Sequence, residues 1–198
     1  MTRAEITTLT KAYIDELSPF SDTDLNPSIE NIDPILDNSA RTVARVAPNS
    51  LLIPAAITGT PVVDSPVSGV ITIPLAADFL KLHSVKLTDW NQEVNKAITV
   101  EDPKYALQKY AAIRGGISKP VVVLKSTAAG KTIECYSYST LSTVESALYI
   151  AFTVAEALPD DLLEPIAWQC AADVIMSMKG DPSGALLKVQ QFFKTQTT

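Results

Sequence analysis

The chain has 198 residues, 46 % of them apolar and 19 % charged, which excludes a disordered or fibrous chain and allows one sizeable core with or without a smaller satellite. No stretch approaches the ~20 apolar residues of a membrane span, and MTRAEITTLTKAYIDEL has no apolar run behind a basic start, so the expected setting is a cytoplasm, without leader or membrane anchor. The net charge of -6 is unevenly spread: basic residues stand 4 against 10 acidic over positions 1–80, 9 against 4 over 81–131, and 3 against 8 over 132–198.

Residues 3–17 place Ile6, Leu9, Tyr13 and Leu17 at steps of three and four, with Thr2 as a cap and Glu5 in the first turn. This predicts an amphipathic helix that Pro19 ends. Asn26-Pro27 predicts the cap and first residue of a second helix, lined on its inner side by Ile29, Ile32, Leu36, Val43 and Val46. Pro34 either kinks that helix or pushes its start to about Asp33, and Pro48 closes it. Asp37, Arg41 and Arg45 follow at four-residue steps, which suits ion pairing on the solvent side.

Positions 51–67, rich in Pro, Thr, Gly and Val, predict irregular or edge-strand structure. Positions 70–73 and 82–87 read as short strands that bracket a tight corner at PLAADF. Asp102-Pro103 opens a short helix, PKYALQKYAAI, which Gly115-Gly116 stops. The runs 120–124 and 132–138 around TAAGK predict a hairpin, the second with Ile133 and Cys135 on one face and Glu134 and Tyr136 on the other. Positions 148–154 give a last strand. A helix then carries Leu163, Ile166, Ala167, Cys170, Val174 and Met178 behind an LPDD cap, and Gly180-Asp181-Pro182 ends it. Leu186, Val189, Gln190 and Phe193 predict a closing helix before the polar KTQTT.

The order is thus two helices, a β-rich middle and two helices. Helices so distant in sequence bury their stripes most economically against one another, which predicts an α+β fold: an antiparallel helical bundle formed by the N- and C-terminal helices, with an inserted small β-rich domain. The expected boundaries are 1–49, 50–152 and 153–198, in one structural unit overall.

Little in the sequence points to chemistry. A Ser-His-Asp or Cys-His set needs a base, and the single histidine, His83, sits in the apolar alternation LKLHSVKL, with Asp78 and Asp89 close in sequence. Cys135 and Cys170 have no CxxC partner and read as buried thiols. STAAGKT ends in Gly-Lys-Thr but lacks the first glycine of a phosphate loop. Asp160-Asp161 at a helix start is explained by the helix dipole. No catalytic, cofactor or metal residues are therefore assigned. The singly spaced basic residues of the middle, Lys104, Lys109, Arg114 and Lys119, are read as scattered surface charges, with inter-subunit or DNA-facing contacts as the functional alternative. Of the adjacent Phe192 and Phe193, only one fits fully into a helix's buried stripe, which leaves the other for a partner or a second copy.

Taken in order, the helix pair, ITIPLAADFLKLHSVKL, EDPKYALQKY, RGGISKPVVVL, LPDDLLEPIAWQCAADVI and the closing helix resemble the head-to-tail connector proteins of short-tailed bacteriophages: the adaptor, tail tubular and gatekeeper-type ring proteins, and in flavour those of crAss-like phages. The likeness runs from about residue 4 to 193. It implies a non-catalytic virion protein of the neck, assembled in the bacterial host cytoplasm. Its copies form a homo-oligomeric ring, typically a dodecamer, below the portal protein and above a further neck or tail ring. Double-stranded DNA passes through the ring during packaging, retention and ejection. The resemblance makes Phe192, Phe193, Lys194 and the tail to Thr198 the candidates for portal docking, although the family's C-terminal arms are often longer. It gives the β-rich middle the contacts with neighbouring subunits or the next ring. The alternatives are a nucleic-acid-binding module using the basic middle, or a small enzyme around His83.

Overall fold

The computed structural model describes residues 1–17, 32–63, 70–110, 117–128, 130–136, 142–178 and 180–195. Among them five helices form: α1 (Arg3–Leu17), α2 (Asp33–Val46), α3 (Pro103–Gln108), α4 (Leu163–Ser177) and α5 (Ser183–Thr195). Eight strands accompany them: β1 (Ala55–Ala56), β2 (Val62–Val63), β3 (Val70–Pro74), β4 (Phe79–Leu87), β5 (Ile98–Thr99), β6 (Val121–Thr127), β7 (Gly130–Tyr136) and β8 (Val144–Ala151). The architecture is mixed α+β, and the chain divides into two compact units, residues 1–53 with 152–198, and residues 54–151.

In the first unit, α4 is the element on which α1, α2 and α5 all pack. Pro165 to Ala172, Val174 and Ile175 of α4 are all buried, so this helix has no solvent stripe beyond its ends, although its sequence spacing predicts one. Small residues, Ala167, Cys170, Ala171 and Ala172, let three neighbours approach it closely. Tyr13 of α1 stacks on Trp168 with ring centroids 3.6 Å apart and planes 4° from parallel, an aromatic contact that adds to its burial. Pro34 and Pro165 both sit in the first turn of their helices, where no intrahelical acceptor awaits their missing N–H.

Several sequence expectations are corrected in this unit. The buried face of α1 is Ile6, Thr10 and Ile14, rotated away from Leu9, which lies on a groove described below. Thr10 fits the core because its hydroxyl donates to the Ile6 carbonyl at 2.8 Å. The second helix starts at Asp33, and the cap proposed at Asn26 lies outside the described residues. Its inner face is Leu36, Ser39, Ala40, Val43 and Ala44, while Val46 is 62 % exposed. Asp160 and Asp161 do not cap α4: they form a 3₁₀ turn, Asp160–Leu162, and the position before α4, Leu162, makes no side-chain cap. At the other end Gly180 N–H donates to the Ile175 carbonyl at 2.9 Å, which closes α4 where the Gly-Asp-Pro signal places the stop.

The second unit holds both sheets. One has the order β2-β3-β7-β6-β5, antiparallel except for the β5/β6 pair, and the other has the order β1-β8-β4. Their facing side chains make one core, with Ile71, Ile73, Val122, Ile133 and Cys135 from the first and Phe79, Leu82, Val85, Leu87 and Tyr149 from the second. The PLAADF corner is therefore the passage from one sheet to the other, since β3 and β4 do not pair. β4 starts at Phe79, earlier than its alternation predicts, and its register against β8 shifts three times. These irregularities break a strict two-residue pattern, so Ser84 and Val85 are both buried. β8 spans Val144–Ala151, where the sequence predicts 148–154. β6 and β7 form the predicted hairpin, which closes at the Thr127–Gly130 pair with Gly130 at φ 124°, a conformation that favours glycine.

Candidate functional site

Among the described residues, no group of three His, Cys, Asp or Glu is placed to hold a metal ion. His83 lies part-buried on β4 with Nδ1 at 3.4 Å from Ser84 Oγ. The two aspartates nearest in sequence serve the packing of the β unit. Asp78 Oδ1 accepts from the Tyr149 hydroxyl at 3.0 Å, and Asp89 Oδ1 accepts from the Ser142 hydroxyl. Burial pushes the Cys135 thiol up to about 12, helped by the Glu134 charge. Burial also raises Cys170 to about 11, against the hydroxyls of Ser39 and Thr10. Neither sulfur forms a reactive thiolate near neutral pH.

The predicted basic residues that the structure describes all belong to the β unit. Lys104 and Lys109 are exposed at the two ends of α3, Lys119 is exposed before β6, and Arg114 lies outside the described residues. α3 forms because Asp102 accepts from the Lys104 N–H at 2.8 Å and Pro103 presets the first turn. It turns Gln108 inward, with Nε2 donating to the Lys104 carbonyl at 3.1 Å. That choice leaves Leu107 47 % and Tyr110 64 % exposed, with Val100 and Ile117 also outward. Tyr110 lies past the end of α3, where its N–H donates to the Leu107 carbonyl at 3.3 Å, so the two stand in one turn with both side chains outward.

Beside this patch, the Lys109 and Lys125 ammonium groups lie 5.0 Å and 5.2 Å from the Tyr105 ring centroid. Lys125 is already paired with Glu134 at 2.6 Å, and Glu134 also accepts from the Tyr136 hydroxyl at 2.7 Å. Burial works against the Lys125 charge, but Glu134 and Tyr105 outweigh it and hold its pKa above the ordinary lysine value. This network was invisible in the sequence because its members come from α3, β6 and β7.

Among the described residues of the helical unit, open apolar grooves lie on α5 and on α1. The first, about 380 Å³, is lined by Val46, Val189, Gln190, Phe193 and Lys194, so the C-terminal candidates lie on it or beside it. Phe192 and Phe193 are both part-buried, meeting edge to face with centroids 5.4 Å apart, and Lys194 is exposed. Phe193 also packs into the cluster around Trp168 and Ala172. The second groove, about 430 Å³, is lined by Ala4, Glu5, Thr8, Leu9, Ala12 and Leu163. Glu5 is on its wall, the exposed Asp161 and Glu164 stand within two residues of Leu163 along the chain, and Asp160 pairs with the amino group of Met1. Residues 1–53 and 152–198 together hold 7 basic against 14 acidic side chains, and residues 54–151 hold 9 against 8. The acidity of the chain therefore belongs to the helical unit.

No protein-family model matches this chain, and no curated protein matches it.

Proposed function

We propose that this chain is a head-to-tail connector of a short-tailed bacteriophage: a virion structural protein that forms a homo-oligomeric ring, a dodecamer, between the portal protein and a further neck or tail ring. The observation that carries the reading is the apolar groove of about 380 Å³ on α5, where Phe193 and the exposed Val46 present a docking face. Support also comes from the chain order, in which helices from both ends share one unit and the β sheets interrupt them. In this reading α1, α2, α4 and α5 are an antiparallel bundle that builds the ring wall. The acidic helical unit then lines the passage for double-stranded DNA. Each fixed basic contact to phosphate adds salt-dependent affinity, so a carboxylate-rich lumen lets DNA slide.

The test is co-migration with an assembled portal complex. The chain should join the portal in a stoichiometric complex, and the charge-introducing change Phe193→Asp should abolish that association while the helical circular dichroism persists. A chain that never associates with the portal, or a Phe193→Asp variant that binds as well as the parent, overturns the reading. Steep salt-dependent binding to duplex DNA by the isolated chain would favour a nucleic-acid module at the Tyr105 and Lys109 face instead.

A further inference from the structure

The chain carries an apolar patch with a basic rim on one unit and an apolar groove with an acidic rim on the other. The patch is α3 with its flanks: Leu107 and Tyr110 are exposed, and Lys104 and Lys109 are exposed around them. The groove is on α1, where Ala4, Thr8 and Ala12 keep the floor shallow between Leu9 and Leu163. Glu5 on its wall, with the exposed Asp161 and Glu164 on either side of Leu163 in the chain, has the opposite sign to the lysines of the patch. An exposed tyrosine supplies a large, rigid contact area at little conformational-entropy cost, while rim charges set the register of an interface.

We propose that α3 of one copy of this chain docks into the α1 groove of the next, with Leu107 and Tyr110 against Leu9 and Leu163, and Lys104 and Lys109 facing Glu5, Asp161 and Glu164. The two surfaces are unlike, so the contact is heterologous, and repetition of it builds a ring when the rotation closes and an open chain when it does not. Closure into a ring rests on the connector reading; the pairing of the two surfaces stands on their own shape and charge. It accounts for Leu9, which the buried face of α1 does not use, and for the outward turn of α3.

The native thiols are buried, so engineered cysteines report cleanly. One chain carrying Ala12→Cys and another carrying Leu107→Cys are mixed and oxidised under mild conditions. The expected product is the mixed disulfide dimer, in several-fold excess over either like pair. A mixed dimer no more abundant than its statistical share overturns the proposal.

A charge exchange provides the second arm. Lys104→Glu with Lys109→Glu, or Asp161→Lys with Glu164→Lys, should each abolish self-association by light scattering. A mixture of the two reversed chains should restore a contact between opposite charges. Self-association that persists unchanged in both reversed chains sinks this interface and leaves the connector reading standing. Specific cross-linking without portal binding does the opposite.

Discussion

Arg3 joins three segments of the helical unit, and its removal is the sharpest test of how that unit is held. Its Nε donates to Asp33 Oδ1 at 3.0 Å, one terminal nitrogen donates to Asp37 Oδ1 and Glu156 Oε1 at 3.3 Å each, and the other donates to the Asp33 carbonyl at 3.0 Å. Asp37 also accepts from the Ala155 N–H at 3.0 Å, so α1, the start of α2 and the segment before α4 meet at one guanidinium. The side chains of Arg3, Asp37 and Glu156 remain 32 %, 38 % and 32 % exposed, which sets the magnitude. A fully exposed ion pair contributes about 0–1 kcal/mol and a charged hydrogen bond out of water about 1.5–3 kcal/mol, so solvent screening places Arg3→Ala at about 1–2 kcal/mol. For a chain of this size that lowers the melting temperature by about 2–8 °C.

The pH dependence has a definite sign. Burial pushes the Asp37 carboxyl up, but the Ala155 N–H and the Arg3 and Arg41 guanidinium groups outweigh it and hold it below the ordinary aspartate value. A group lowered on folding gives stability that is complete above its unfolded pKa and disappears as pH falls through the lowered one. The gap between parent and Arg3→Ala, followed by helical circular dichroism on thermal melting, should be full at neutral pH and close in acid. Arg3→Lys should fall between them, because the charge remains while the planar fork is lost. Equal melting at neutral pH, or a gap that persists unchanged in strong acid, refutes the account.

A Cβ added at Gly59 would stand 2.2 Å from the Pro74 carbonyl oxygen, a backbone atom with little room to yield. Gly59→Ala should therefore cost about 1–3 kcal/mol in the β unit, read as a lower urea midpoint of tyrosine and tryptophan fluorescence. Gly184→Ala, which meets only the end of the Leu17 side chain, should be much milder, and equal effects would contradict the geometry. Both cysteines, with pKa values pushed to about 12 and about 11, should react with a thiol reagent at mildly alkaline pH only at the rate of unfolding. Rapid labelling of the native chain would contradict their burial.

Local signals in the chain determined where elements begin and end. Asp102-Pro103 opens α3, Gly180 ends α4, and the runs on either side of TAAGK pair as a hairpin, because caps, missing donors and turn geometry act within a few residues. The succession of helices, strands and helices was legible for the same reason, as were two buried thiols. Which face of an element is covered is another matter, since periodicity says only that residues share a face. In α1 the spacing singled out Ile6, Leu9, Tyr13 and Leu17, whereas packing on α4 buries Ile6 together with Thr10 and Ile14. For α4 three neighbours removed the solvent face altogether, and in α3 the inward turn of Gln108 left Leu107 and Tyr110 in solvent. Phe192 and Phe193 stood out in the sequence as adjacent aromatics, whereas the grooves around Phe193 and Leu9 draw their walls from helices distant along the chain. The PLAADF corner was visible as a corner, but its role as a passage between sheets depends on β3 pairing with β7 and β4 with β8, across separations that no local signal spans.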